Sequence, residues 1–242
     1  MTPLVTQVSW TNHLQIMSGA KSVEERHFYM QLCADGHYSK RELARQMDSA
    51  YYERYMLSSK KPLPDTVPQN VRDGILDTYV LEFLDLPEPY SEQTFKKAII
   101  AYLKKFILEF GRDFSLIGEE YRVQVGGSDF YIDLLFYNRA LSCLVPVELK
   151  IGKFKPEHIG QINFYLEALD RDVKKPHENP SVGLILCASK DDAVVEYALS
   201  RSISPTMVSD YTLYLPDKKV LQNKLRELTD IAMEEDDAGR TE

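Results

Sequence analysis

The sequence is poor in the features that mark secreted, disulfide-bonded and membrane-spanning proteins. Its 242 residues include three cysteines, Cys33, Cys143 and Cys187, which are widely separated and form no Cys-x-x-Cys pair. This spacing argues against a zinc site or a disulfide framework and fits a reducing compartment. The start of the chain has no basic leader followed by an apolar run, and no stretch approaches the roughly 18 apolar residues of a membrane span. We therefore expect a soluble, cytoplasmic protein.

An excess of positive charge is also missing. The net charge is −8, whereas proteins that bind nucleic acid usually carry a basic surface. Part of the negative excess lies in a predicted acidic tail at 233–242, whose acidic residues are Glu234, Glu235, Asp236, Asp237 and Glu242. The charge balance argues against tight, nonspecific binding to nucleic acid.

Two capping signals predict consecutive helices in the first 60 residues. A serine followed three positions later by a glutamate occurs at Ser22–Glu25 and again at Ser39–Glu42, and this pattern is typical of a helix N-terminus. The turn between them lies at about 35–38, and the second helix is predicted to run to about Ser58. Residues 1–60 are therefore predicted to form a small helical domain.

The turn between these two helices allows two interpretations. A short turn containing glycine is found in helix-turn-helix motifs, and Lys40, Arg41 and Arg45 near the start of the second helix would then contact nucleic acid. The same pattern also fits a plain pair of antiparallel helices whose basic side chains are simply solvated.

A longer α/β domain is predicted beyond a proline-rich linker and docking segment at 61–90. From Ser91 onward, helix and strand patterns follow in the order α-β-β-β-α-β-α-β-α. This order predicts a three-layer domain over 91–232, with a mixed central sheet flanked by helices. The predicted helices are 91–110, 155–169, 191–200 and 218–233. The predicted strands are 121–125, 130–137, 143–150, 181–188 and 207–215, and Gly126–Gly127 is predicted to be a turn.

Charged residues interrupt two of these apolar strands. Asp133 alternates with apolar neighbours in one strand, and Glu148 and Lys150 share a face of the next strand, because side chains two residues apart point the same way. Buried charges are costly unless they pair or bind a metal. Two carboxylates and one ammonium would leave a negative pocket that suits a hard divalent cation. A structural cluster of ion pairs is the simpler alternative.

The spacing of the two strands raises a geometric difficulty. A two-residue turn at Asn138–Arg139 would pair Asp133 with Leu144 and leave Glu148 roughly 13 Å further along the strand. A longer turn, a bend or a bulge must bring the carboxylates together. Because Pro146 cannot donate a ladder hydrogen bond, we predict irregular pairing near Pro146.

These residues resemble the signature of the PD-(D/E)XK nuclease superfamily. The strand Asp133 and the following Glu148-Leu149-Lys150 match its motif, although Ile132 stands where the family has proline. A helix with Gln161 and Tyr165 resembles the QxxxY motif of the RecB-like branch. The amino-acid sequence of residues 70–220 is similar to that of the bacterial YhcG-type subgroup. In that subgroup the N-terminal region is thought to bind nucleic acid, and longer members have more chain before it, so this chain looks shortened at its N-terminus.

The resemblance implies a restriction-endonuclease-like core and a role for each matching residue. Asp133 and Glu148 would ligate Mg²⁺, with help from the carbonyl of Leu149, and Mn²⁺ would be a substitute. Lys150 would position or deprotonate a water molecule that the metal activates. Further residues are assigned by position: Gln161 and Tyr165 to hold the site or the substrate backbone, Glu109 to reach the metal through water, and Lys153 and Lys155 to contact phosphate.

The function implied by the resemblance is a Mg²⁺-dependent endonuclease that hydrolyses DNA phosphodiester bonds. A homodimer would fit, because cutting both strands requires two sites. The alternative from another class is a catalytically silent nucleic-acid-binding or assembly protein with the same fold, which the acidic balance favours. RNA is a further candidate substrate, since a metal site does not by itself distinguish the 2′-hydroxyl.

Overall fold

The computed structural model describes residues 3–59, 75–86, 88–111, 113–202 and 204–227. These residues divide into two compact units. Residues 3–59 and 215–227 form a helical unit, and residues 75–214 form an α/β unit. The predicted acidic tail and residues 61–74 of the predicted linker and docking segment lie outside the described residues. Among the described residues, no helix combines the length and the apolar character needed to cross a bilayer.

The helical unit contains the predicted N-terminal helices in a more divided form. Its helices are α1 Leu4–Gln7, α2 Trp10–Gly19, α3 Val23–Gly36, α4 Lys40–Asp48 and α5 Tyr51–Ser59, and residues 218–227 at the other end of the described chain are also helical. The prediction of one helix from Ser39 to Ser58 was wrong. That segment breaks at Ala50, whose φ of 52° is left-handed and does not continue a helix.

Capping explains where the two central helices of this unit begin. Ser39 and Glu42 form the predicted capping box, in which each side chain accepts from the other residue's backbone N–H. Ser22 caps α3 as predicted, but the Glu25 carboxylate accepts from the backbone N–H of Lys21 instead of completing a box. Three residues separate α3 from α4, and the amide of Asn12 donates to the carbonyl of Tyr38 in this turn over 2.8 Å.

The α/β unit has the predicted order of elements, preceded by one further strand. Its strands are β1 Thr78–Val80, β2 Phe114–Val125, β3 Ser128–Asn138, β4 Cys143–Lys153, β5 Gly183–Ser189 and β6 Thr206–Thr212. Its helices are α6 Glu92–Ala101, α7 Leu103–Phe110, α8 Glu157–Asp172 and α9 Asp192–Leu199, and a 3₁₀ turn spans Glu82–Leu84. The single helix predicted over 91–110 divides at Tyr102, and the first long strand starts at Phe114 instead of 121.

The strands form one mixed sheet in the order β1-β6-β5-β4-β3-β2. The β2–β3 and β3–β4 pairs are antiparallel, and the β4–β5, β5–β6 and β1–β6 pairs are parallel. The two-residue turn predicted at Gly126–Gly127 is confirmed. Both glycines have positive φ (59° and 82°), as a tight hairpin of this twist requires.

Helices cover both faces of the sheet, which confirms the predicted mixed sheet flanked by helices. On one face, rings from α7 stack against the sheet, with Phe110 lying 4.4 Å from Tyr79 and 5.8 Å from Phe136 between ring centroids. On the other face, residues of α8 and α9 share a core with β3, β5 and β6, in which Ile162 and Ile185 are fully buried. The charged residues of β3 and β4 singled out from the sequence therefore lie within a three-layer frame.

The boundaries of the α/β unit differ from those predicted. We expected the domain to span 91–232, but β1 pairs with β6 in the same sheet, so the unit already includes residues 75–90. The described part of the predicted closing helix joins the helical unit instead. There the ammonium of Lys218 lies 2.8 Å from the buried carboxylate of Glu25, and Gln222 donates to Glu53.

Close packing at Gly183 gives a test of the core beneath α8. A Cβ at Gly183 would lie 2.7 Å from Cγ1 of Ile162 and 3.0 Å from Oγ1 of Thr206. We expect Gly183→Ala to lower the free energy of unfolding by about 1–3 kcal/mol, measured by urea denaturation. Gly160→Ala is the matched control: the site lies on α8 with open space around it, and we expect stabilisation of up to about 1 kcal/mol. Equal shifts of the two midpoints would contradict this packing.

Candidate active site at the divergence of two strands

A four-residue connection brings the two carboxylates side by side. β3 and β4 pair from Asn138↔Cys143 to Leu134↔Val147, and residues 139–142 connect them. The next positions along the two strands are Asp133 and Glu148, so the offset that a two-residue turn would impose does not arise. Of the remedies considered from the sequence, the longer turn is the one that the structure uses.

The predicted irregularity at Pro146 was wrong. Pro146 stands in regular register opposite Leu135. The carbonyl of Leu144 accepts from the backbone N–H of Val182, so the backbone groups of Leu144 face β5. Because backbone direction alternates along a strand, the backbone of Pro146, two residues later, faces β5 as well. The register with β5 begins only at Val147↔Leu184. Proline has no backbone N–H to donate. At Pro146 this breaks no ladder hydrogen bond, because the parallel pairing of β4 with β5 starts only at the next residue.

The irregularity lies at Asp133 instead. Ile132 and Leu135 both belong to the core beneath α8, although strict alternation would place them on opposite faces. The regular alternation that the sequence predicted around Asp133 is therefore wrong at this point of the strand. Across the ladder, Glu120 has a left-handed φ of 42° between the paired residues Glu119 and Tyr121. This local change of face marks a bulge-like kink in the strand at Asp133.

The kink places the Asp133 carboxylate in the gap between the diverging strands. Its Oδ2 accepts from the backbone N–H of Leu149 over 2.8 Å, in place of a further ladder bond from β3. Its Oδ1 accepts from the ammonium of Lys96 on α6, which also lies 3.0 Å from the carboxylate of Glu92. Asp133 is 9% exposed. Both of its oxygens are therefore engaged in an almost dry setting.

Glu148 and Lys150 form an ion pair beside it, as their shared face predicted. The Lys150 ammonium donates to Oε1 of Glu148 over 2.7 Å. Glu148 is 2% exposed, and its other oxygen, Oε2, is buried with no hydrogen-bond partner among the residues that the structure describes. An orphaned carboxylate oxygen is costly to bury, so this atom is the clearest vacant acceptor of the site.

Burial and the neighbouring charges change the pKa values of this pair. Burial, followed by the nearby Asp133 carboxylate, raises the pKa of Glu148 above its usual range. Burial is the largest single influence on Lys150 and would by itself lower its pKa. The hydrogen bond to Glu148 and the negative charges of Glu148, Glu92 and Asp133 together outweigh burial, so the pKa of Lys150 is raised. Lys150 therefore carries a full positive charge at neutral pH.

Gln161 and Tyr165 meet on one face of α8, as their spacing predicted. The Gln161 amide lies 3.1 Å from the Tyr165 hydroxyl, which donates to the backbone carbonyl of Tyr131 over 2.8 Å. Burial raises the pKa of Tyr165, so its hydroxyl keeps the proton that it donates. The motif thus ties α8 to β3 two residues before Asp133.

Glu109 makes a hydrogen bond at the edge of the sheet. Its side chain is fully buried in α7, and its Oε1 accepts from the backbone N–H of Val80 over 2.8 Å. This hydrogen bond satisfies a donor of the edge strand β1. This contact gives Glu109 a structural role, and its contact with a metal through water stays a prediction.

The predicted nucleic-acid contacts are exposed to differing degrees. Lys153 and Lys155 are largely exposed, with their ammonium groups 3.9 Å from Asp191 and 3.5 Å from Glu157 respectively. In the helical unit, Lys40 and Arg41 are exposed on the first turn of α4, and Arg45 is half-buried. Exposed pairs at such distances contribute little to stability, which leaves the lysines available to other anions.

Lys96 and Glu92 are the residues at this site that sequence reasoning missed. They lie one turn apart on α6, and a cavity of about 380 Å³ opens beside them. The residues lining this cavity are Gln93, Lys96, Lys97, Ile100, Glu119, Glu120, Asp133, Leu134 and Leu149. An i, i+4 charge pair is a common feature of solvated helix surfaces, so no signal in the sequence placed this pair over Asp133.

Comparison with known proteins identifies the family. Residues 72–226 match the model of the YhcG PDDEXK nuclease domain, and residues 1–54 match the DUF1016 N-terminal domain. The chain belongs to the YhcG PDDEXK nuclease-domain family. This confirms the resemblance that Asp133, Glu148 and Lys150 indicated.

One curated relative agrees with this assignment. The chain is 37% identical over 221 residues to the Escherichia coli (strain K12) protein named "Putative nuclease YhcG", covering 89% of this chain and 59% of the relative. Among solved structures, it is similar to a repair endonuclease from Pyrococcus abyssi (TM-score 0.35, 16% identity, 54% of this chain and 50% of that one). It is also similar to the EndoMS-dsDNA2 complex (TM-score 0.34, 16% identity, 50% and 45%).

The donor set fits the divalent cation that PD-(D/E)XK nucleases generally use. Asp133 and Glu148 offer hard oxygen ligands at one point, and Oε2 of Glu148 has no other partner. With Glu92, Lys96 and Lys150 included, three carboxylates face two ammonium groups, so the cluster carries one net negative charge. Among the described residues, no group of three or more His, Cys, Asp or Glu side chains is arranged to hold a metal. A cation here would therefore need backbone or water ligands as well.

The tie between α8 and β3 can be tested by removing one hydroxyl. We expect Tyr165→Phe to lower the free energy of unfolding by about 1 kcal/mol in urea denaturation, because the Tyr131 carbonyl loses its donor. Tyr197→Phe is the control, since that ring is 83% exposed, and we expect no measurable change there. Equal midpoints for Tyr165→Phe and the unmodified chain would show that the bond does not hold the helix.

Proposed function

We propose that this chain is a metal-dependent endonuclease that hydrolyses phosphodiester bonds of DNA, with Mg²⁺ as its ion and Mn²⁺ as a substitute. The observation that carries the proposal is the convergence of Asp133 and Glu148 at the divergence of β3 and β4, with one buried carboxylate oxygen left unpaired. Membership of a nuclease family supports the same conclusion. The chain spans 59% of the length of the curated relative, so the activity of the whole protein is part of the proposal.

Three groups would hold the cation: the Asp133 carboxylate, Oε2 of Glu148 and the carbonyl of Leu149. When bound, a divalent cation supplies charge that polarises the scissile phosphate and lowers the pKa of water. The protein groups fix the geometry in advance, because Leu149 anchors Asp133 through its backbone N–H and Lys150 anchors Glu148 through its ammonium.

Lys150 acts as a hydrogen-bond donor in this proposal. Its raised pKa keeps the ammonium charged at neutral pH, so the positioning role is favoured over removal of a proton from water. Because its side chain is 19% exposed, the ammonium remains accessible to a phosphate oxygen. There it would offset the negative charge that develops during hydrolysis.

Gln161 and Tyr165 hold the β3 side of the site in place against α8. Their hydrogen bonds fix the Tyr131 carbonyl, two residues before Asp133, and so limit how far β3 can move away from α8. Lys153 and Lys155 are the proposed phosphate contacts beside the start of α8. In the helical unit, Lys40, Arg41 and Arg45 on α4 are the proposed nucleic-acid contacts, and the helix-turn-helix interpretation of α3 and α4 stays a prediction.

Cleavage assays test the proposal directly. We expect the purified chain to cut plasmid, linear, nicked, forked or single-stranded DNA only when Mg²⁺ or Mn²⁺ is present. Glu148→Ala and Lys150→Ala should each reduce the rate by at least about 100-fold, because each removes a group that acts on the reacting phosphate. Glu167→Ala is the control, since Glu167 is an exposed residue of α8 paired with Arg171.

The same substrates, together with single-stranded and duplex RNA, distinguish the alternatives. Cleavage of RNA but not DNA would reassign the substrate, and binding without cleavage across the panel would favour the silent nucleic-acid-binding protein. That alternative is supported by Lys96, which already neutralises Asp133. Thermal unfolding of each variant separates lost activity from lost fold. Sedimentation of the active form would test the proposed homodimer.

The proposed contacts on α4 predict a specific salt dependence. Each phosphate neutralised by a side chain adds about 0.9 to the slope of log affinity against log salt for duplex DNA. We expect Lys40→Gln and Arg41→Gln each to reduce that slope by about 1, measured by fluorescence anisotropy. Lys21→Gln removes an equal charge from an exposed position before α3 and should leave the slope unchanged. Equal losses in all three variants would indicate a general charge effect instead.

A further inference from the structure

Both oxygens of the proposed ligand Asp133 already accept from donors of the protein itself. Its Oδ2 is held by the backbone of Leu149, and its Oδ1 is held by the ammonium of Lys96. Glu148, in contrast, keeps a vacant oxygen. A divalent cation can therefore reach Glu148 directly, but at Oδ1 of Asp133 it meets the positive charge of the Lys96 ammonium and competes with it for the same oxygen.

Lys96 has a second partner to which it can move. The carboxylate of Glu92 lies 3.0 Å from the Lys96 ammonium, one helical turn earlier on α6. The Lys96 side chain is 29% exposed and that of Glu92 is 41% exposed, whereas Asp133 is 9% exposed. An ammonium that leaves Asp133 thus stays paired and moves toward water, so its displacement costs little desolvation energy.

We propose that Lys96 is an internal counter-ion for Asp133, which competes with the divalent cation and is transferred to Glu92 when the cation binds. This inference rests on the proposed function, because it concerns the same cation. Lys96 is a positioning residue here, not a ligand. In the absence of a cation it offsets the repulsion between two adjacent buried carboxylates, and this protection is gained at the expense of cation affinity.

Cation affinity measured without substrate tests the inference. We expect Lys96→Gln to bind Mn²⁺ at least about tenfold more tightly than the unmodified chain in calorimetric titration, since a positive charge in contact with the ligand is removed. Lys97→Gln is the matched control: it removes the same charge from the adjacent residue, which lines the same cavity. Its effect should stay below about threefold, because that charge is screened by solvent. Should Lys96→Gln fail to fold, Lys96→Met retains the aliphatic stem and serves the same comparison.

A double-mutant cycle tests the transfer to Glu92. Glu92→Gln removes the acceptor for the displaced ammonium, so we expect Mn²⁺ binding to weaken by about threefold to tenfold. In the Lys96→Gln background the same change should have a much smaller effect, since the two residues act through one contact. Equal effects in both backgrounds would refute the transfer, because Glu92 would then act only as a distant charge.

The outcomes separate this inference from the proposed function. Mn²⁺ binding that depends on Glu148 but is equal in Lys96→Gln and Lys97→Gln would overturn the counter-ion role and leave the nuclease proposal standing. Absence of Glu148-dependent binding in both the unmodified chain and Lys96→Gln would overturn both. Binding that appears only in Lys96→Gln would support the competition in its strongest form.

Discussion

The carboxylates of Asp133 and Glu148 lie side by side and almost fully buried where β3 and β4 separate. The surrounding structure depends on this constraint. Buried charges of one sign repel each other and lose their hydration. Three separate donors stabilise the two carboxylates: the backbone N–H of Leu149, the ammonium of Lys150 and the ammonium of Lys96. Each donor comes from a position that the sheet or α6 fixes. The site is therefore stable as an ion cluster and still has one vacant oxygen, on Glu148.

The pairing of β3 and β4 decides whether these charges meet. A connection of residues 139–142 sets the register, and the kink at Asp133 then turns its carboxylate out of the ladder and toward Leu149. The left-handed φ of Glu120 lies on the neighbouring strand opposite this kink. Backbone strain of this kind is usually retained where function requires it. The irregular backbone and the charged site thus coincide.

Local signals in the sequence predicted the regular elements and the proximity of Asp133, Glu148 and Lys150. They did not predict the contacts between segments that are distant in the sequence. Ser39 with Glu42 and the Gly126–Gly127 turn act within a few residues, so their structures followed from spacing. Irregular pairing was expected near Pro146 and not at Asp133. This prediction failed because the sequence does not show which neighbouring strand the backbone of a single residue faces. The contact of Lys96 with Asp133 and the hydrogen bond of Glu109 to β1 were missed for a related reason: helical spacing does not show which residues of the sheet a helix covers. The pairing of Lys218 with Glu25 joins segments 193 positions apart and left no local trace.

The acidic composition of the chain is weak ground for excluding nucleic acid as a substrate. Charges separated by more than about 8 Å are largely screened at physiological salt, so a net charge of −8 says little about the field at one cleft. What matters locally is the cluster of Glu92, Lys96, Asp133, Glu148 and Lys150, whose charges sum to −1 when all five are ionised. A single divalent cation reverses that sign. In the proposed mechanism, attraction of a phosphodiester to the site therefore depends on the cation, and a strongly basic surface is not required for it.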